Sequence, residues 1–152
     1  MSTVLEQIAA DALARLNGAG KPAGVPAAAY HDGYVPDVSQ LPLRQLDWGP
    51  DQLKQGTSPA SPLSRHELRL TVVDWVTSVE TPTPLTPKQV AEPMRAWSVK
   101  ALVQQRLAGI AFDVLELGTV WVSAQADVPV VRVEHHFTVS YTTKSQDLEL
   151  RA

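Results

Sequence analysis

The chain contains no cysteine, which removes disulfide frameworks, thiolate nucleophiles and cysteine-ligated zinc or iron–sulfur centres together. Stability must therefore come from packing. Basic residues are also in short supply: 13 Lys and Arg stand against 16 Asp and Glu, for a formal net charge of −3. The chain thus lacks the positive surplus with which a dedicated duplex-DNA binder displaces counterions. No stretch approaches the roughly 20 apolar residues that cross a bilayer. The start, "MSTVLEQIAADALARL", places Glu6 and Asp11 where a signal peptide needs an uninterrupted apolar core. These absences lead to the expectation of a protein folded in a cytoplasm with no membrane partner. Catalytic signatures are missing too. "GAGKPAG" has neither the spacing of a phosphate loop nor its following Ser or Thr, and no serine lies in a nucleophile elbow.

What is present is enough to fold. Of 152 residues, 44% are apolar and 19% charged, a balance that supports one core in a single domain over 1–152. Twelve prolines fall in clusters and mark loops. Val4, Leu5, Ile8, Ala12, Leu13 and Leu16 recur at helical spacing, predicting a helix over about 3–17. Thr3 and Glu6 have capping-box spacing at its start. Asn17 and Gly18 supply the stop, since either tolerates a left-handed conformation. From about 18 to 62 the prolines and glycines predict an irregular loop region, with short extended pieces near Ala27–Tyr30 and Leu41–Trp48.

"RHELRLTVVDWVTS" alternates. His66, Leu68, Leu70, Val72, Asp74 and Val76 share one face, the expected core face, and Arg65, Glu67, Arg69, Thr71, Val73 and Trp75 the other. Val73 and Trp75 give that outer face an apolar patch, which calls for cover by another element or another subunit. "TPTPLTP" reads as an extended spacer. Thr86, Pro87 and Gln89 then open a second helix, over about 87–106, with Pro93 set to kink it or delay its regular part. Two long strands follow, "IAFDVLELGTVWVSAQA" and "VVRVEHHFTVSYTT", most simply an antiparallel hairpin turning near Asp127–Pro129, with Gly118 marking a bulge. The fold class is α+β, a mostly antiparallel sheet packed against two helices.

The consecutive histidines His135 and His136 invite a metal reading, but neighbours on a strand point to opposite faces and cannot chelate one ion. His135 is therefore expected in the core or at an interface edge, and His136 on the solvent face. Glu67, Asp74, Asp113, Glu116 and Glu134 lie on expected strands, the layout of a metal-dependent nuclease. The lysine two residues after a strand carboxylate is missing, so they read as solubilising charges. Trp48, Trp75, Trp97 and Trp121 are too dispersed for a stacking platform. Core packing is their default, with Val73, Trp75 and Trp121 as possible subunit-interface residues. No catalytic, cofactor-binding or metal residue is assigned, and no cofactor is expected.

Taken in order, a capped helix ending "ARLNGAG", a Pro-rich irregular stretch, the strand "ELRLTVVDWV", the helix "VAEPMRAWSVKALVQQ" and a closing strand "FTVSYTTKSQDLEL" resemble the tail terminator, or tail-completion, proteins of long-tailed bacteriophages. The closing strand carries the V-x-Y-x-T pattern as Val139, Tyr141 and Thr143. The likeness covers nearly the whole chain. It implies a small α+β subunit of a homo-hexameric ring, sited in the virion at the head-proximal end of the tail and assembled in the host cytoplasm. Such a ring stops tail tube polymerisation, offers a docking surface to the head–tail connector, and lets the genome pass without sequence-specific binding. It also implies no enzymatic reaction. Another neck or tail component, such as a head-closure protein or a tube subunit, is the alternative, and a metal-dependent nuclease is a distant one.

Overall fold

The structure, a computed structural model, describes residues 3–33, 36–55, 63–79, 83–124, 130–144 and 147–151. The first helix, α1, spans Val4–Leu16, opened by a complete capping box between Thr3 and Glu6. Its end differs from the expected left-handed stop: Asn17 has φ −100° and ψ 13°. The Asn17 amide instead turns to the next segment, accepting from the Ala28 N–H at 2.7 Å and donating to the Ala28 carbonyl at 2.9 Å. Those two bonds fix where β1, Ala28–Tyr30, begins.

Strand β2 runs over Leu43–Gln55, carrying the short extended piece expected at Leu41–Trp48 on into what the sequence presents as irregular loop. Gly49 and Pro50 do not end it. The ladder to the next strand skips them between Trp48 and Asp51, and Gly49 takes φ +123°, a value that favours glycine. Strand β3 is Leu63–Thr77, after which Val79 and Leu85 exchange two backbone hydrogen bonds, at 3.0 and 2.7 Å. The ends of the Pro-rich spacer therefore meet rather than run on extended. Residues 80–82 lie outside the described residues.

The second helix, α2, is Pro87–Leu102, with its Thr86–Gln89 capping box formed and Pro93 carried inside. It stops short of the expected 106. Val103 leaves helical dihedrals, Gln104 adopts φ +63°, and the Gln104 N–H bonds to the Val114 carbonyl. This early exit lets Leu107, in a single 3-10 turn over Leu107–Gly109, enter the core with Ala111. Strands β4, Asp113–Ala124, and β5, Val130–Lys144, pair antiparallel as the sequence predicts, and the register slips at Glu116/Gly118, where the bulge is expected. The turn near Asp127–Pro129 lies outside the described residues. Strand β6, Asp147–Arg151, pairs with the end of β5.

The fold is α+β. The strand order is β1-β2-β3-β5-β4, with β1 parallel to β2 and the other neighbours on this path antiparallel. On β3 every residue assigned to the core face is buried. Val4, Ile8, Ala12 and Leu16 of α1 and Ala91, Met94, Trp97 and Ala101 of α2 pack on it, with Leu68, Leu70, Phe137 and Val139 beneath. Trp97 also donates its indole N–H to the Leu16 carbonyl at 2.7 Å, tying the two helices together. Both helices cover one face, so the sheet has a helix-bearing inner face and an outer face on which, among the described residues, no α-helix packs.

Candidate functional site

Two polar clusters are built into the inner face. In the first, Arg44 on β2 donates through Nε and Nη2 to both carboxylate oxygens of Asp74 on β3, at 2.7 and 2.9 Å. His135 on β5 lies 2.8 Å from the same carboxylate through Nε2, and its Nδ1 lies 3.3 Å from the Thr119 hydroxyl. Arg44 also donates to the Met94 carbonyl of α2. Burial pushes Asp74 towards its neutral form, yet the hydrogen bonds from Arg44 and His135, together with their charges, outweigh that. The carboxyl is held below the usual carboxylate range. All three side chains are buried, and Arg44 Nη1 finds no acceptor among the described residues. No ligand can reach this cluster, which works as a bolt through β2, β3, β5 and α2.

The second cluster has the connectivity of a nucleophilic triad. Asp51 Oδ2 lies 2.9 Å from His66 Nδ1, and His66 Nε2 lies 3.1 Å from the Thr143 hydroxyl. Tyr141 stacks on His66 at 5.0 Å and donates its hydroxyl to Asp51 at 2.8 Å. Burial, then the hydrogen bond to Asp51 and its charge, push the Tyr141 phenol well above its ordinary range. A nucleophile must meet its substrate, and Thr143 is fully buried. The geometry therefore locks the start of β3 to the end of β5 and the bulged part of β2.

The strand carboxylates do not converge. Asp74 is inside the first cluster; Glu116 accepts from Arg95 of α2 at 2.8 Å; Glu67 pairs with Lys54, and Glu134 with Arg132 and His136. The Glu116 bond and charge raise the Arg95 guanidinium above its usual value. His135 and His136 part as the alternation predicts, inward to Asp74 and outward to Thr71 and Glu134. His31 accepts from the Gly33 N–H, far in sequence and in bonding from His66. Among the described residues no group of three or more His, Cys, Asp or Glu side chains could hold a metal.

The three aromatic and apolar residues singled out for an interface lie in different places. Val73 and Trp75 are only 5% and 4% exposed, covered on the outer face by Leu41, Leu43 and Val130 of the same chain. The Trp75 indole donates to Gln45 at 3.1 Å and Arg132 sits over the ring. Trp121 stands opposite Val133 on the inner face, 40% exposed, with Lys88 Nζ 5.6 Å above its ring. A cleft of about 400 Å³ opens there between β4 and the start of α2, lined by Thr86, Pro87, Lys88, Trp121, Ser123 and Val131.

Trp121 is part of a larger feature. At the β4 edge, Phe112, Leu115, Leu117 and Val120 are exposed as well, and Arg65 lies 5.2 Å over the Phe112 ring. At the opposite edge, Tyr30, Trp48 and Leu53 are exposed. Leu115 and Val120 point to the outer face of β4, and they are exposed because β4 ends the strand order, which the sequence does not set. Trp48 falls at the end of the extended piece expected over Leu41–Trp48, and its exposure follows from β1 pairing only with Arg44–Leu46.

No protein-family model matches the sequence, and no curated protein matches it. Among solved structures, the chain is similar to one described as the virion of a native gene transfer agent (GTA) particle, at 18% identity over 92% of each chain, with a TM-score of 0.48.

Proposed function

We propose that this chain is a structural protein of a phage-type virion, the subunit of a ring at the head-proximal end of the tail that ends tube polymerisation and receives the head. The observation that carries the reading is the β4 edge, where Phe112, Leu115, Leu117, Val120 and Trp121 are exposed together. A soluble monomer rarely leaves large apolar side chains exposed on both faces of a terminal strand, Leu115 and Val120 on the outer and Trp121 on the inner, because such an edge invites pairing. A subunit that spends its working life against neighbours needs one.

The sequence resemblance adds support through the order of its elements and the closing strand, whose Val139, Tyr141 and Thr143 are buried in the sheet. Trp121 meets a neighbouring subunit directly in this reading, while Val73 and Trp75 stiffen the sheet from its other face. The tail tube protein and the head–tail connector are the further partners, the genome passes through the ring unread, and the protein works in the virion after assembly in the host cytoplasm. No chemical step is required of it.

Light scattering and negative-stain imaging of the purified protein, alone and mixed with tail tubes, test this. A hexamer, or a monomer that becomes a ring on tube ends, is the expected result. A monomer that neither caps nor shortens tubes overturns it.

A further inference from the structure

The large apolar side chains exposed on the sheet segregate to its two edges. Phe112 and Trp121 mark the β4 edge, and Tyr30 and Trp48 the β1–β2 edge. Both edge tryptophans lie on the helix-bearing face, since Trp121 is opposite Val133 and Trp48 opposite Leu70, two fully buried residues. Each also sits beside the first turn of a helix. Trp121 shares its cleft with Lys88 near the start of α2, and Trp48 shares one with Glu6, Ala9, Ala10 and Tyr30 at α1.

The charges beside these rings differ in sign. Lys88 and Arg65 stand over Trp121 and Phe112, whereas exposed Glu6 shares the cleft of Trp48. A contact of the Trp121 cleft with its own copy would bring Lys88 against Lys88, and one of the Trp48 cleft with its own copy would bring Glu6 against Glu6. Only unlike edges satisfy the apolar surfaces and the charges at once. A contact between unlike surfaces is heterologous, so every copy has one neighbour on each side and the chain of contacts closes into a ring when the rotation permits.

We infer that copies of this chain dock head to tail, the Trp121–Lys88 edge of one subunit against the Trp48–Glu6 edge of the next, an assignment that rests on the ring reading and specifies its interface.

Two variants test it, Trp121→Glu and Trp48→Glu, each disabling one edge at an exposed ring. Under conditions where the unaltered chain assembles, alone or on tail tubes, each variant by itself should lose assembly about tenfold or more. An equal mixture should recover a one-to-one dimer, because each member keeps the edge that the other lacks. Circular dichroism checks that both remain folded. If one does not, the absence of native cysteine offers a second route: mild oxidation of a Ser123→Cys/Ala10→Cys double variant should give a ladder of covalent multimers, and neither single variant should. Self-assembly retained by either tryptophan variant overturns the inference, as do dimers from a single-cysteine variant without a ladder from the double. Variants that still form rings but no longer cap tubes also overturn it, since they assign the edges to the tube. An unaltered chain that stays monomeric with tubes present removes the ring reading itself, a separate failure.

Discussion

His135 on β5 and Asp74 on β3 meet at 2.8 Å in the interior of the sheet, on a carboxylate that already receives two hydrogen bonds from Arg44. A charged group is costly to bury unless paired, and removing one member of such a pair exposes that cost in the other. Asp74→Leu should therefore destabilise the protein by about 3–5 kcal/mol, while Arg44→Met combined with Asp74→Leu should restore much of the loss. Urea unfolding of the single and double variants measures both. A double variant no better than the single would deny that the carboxylate is there to neutralise Arg44.

The same carboxylate sets an acid limit. Its native pKa is below the ordinary value of 3.8, so the native state holds its proton less readily than the unfolded chain. The contribution is fully present above about pH 4, begins to fall as the unfolded carboxylate protonates, and is gone below the native pKa. Unfolding free energy followed from pH 7 downwards should show the advantage over Asp74→Asn shrinking through this window. An advantage constant across it would contradict the assignment.

Tyr141 acts at the other end of the pH scale. Its native pKa is raised above the ordinary 10.0, so its contribution is present below that value and declines as pH rises above it. Tyr141→Phe keeps the stacking on His66 but removes the bond to Asp51, and should cost about 1 kcal/mol at neutral pH. Ultraviolet titration should show one tyrosine fewer ionising in the folded unaltered chain than after denaturation.

Asn17 latches α1 to β1 with both atoms of its amide. Asn17→Ala leaves the Ala28 N–H and carbonyl without these partners and should cost about 1–3 kcal/mol. Hydrogen exchange should speed most at Ala28 and less within α2; uniform speeding across the sheet would show that the latch is not local.

Thr86 caps α2 next to the Trp121 cleft. Thr86→Ala should lower stability by about 1 kcal/mol, seen as a shift in the urea midpoint with an unchanged slope. A changed slope would mean that more than the cap has been lost.

Local chemistry alone determined much of this molecule. The two capping boxes, the helical spacing of α1, the alternation that turns His66 through Val76 inward, the parting of His135 from His136 and the bulge at Gly118 each depend on residues a few positions apart. Long-range pairing decided the rest. The sequence around Gly49 and Pro50 signals a break, and β2 continues past it because β3 supplies a ladder that can skip two residues. The second helix ends at Leu102 because the core accepts Leu107 and the Val114 carbonyl takes the Gln104 N–H. Arg44 carries no local sign of burial, for its partners stand 30 and 50 residues away. The two apolar edges with their opposite charges arise only once the strand order is set, since sequence gives each strand its faces and the tertiary fold alone decides which strand has no neighbour.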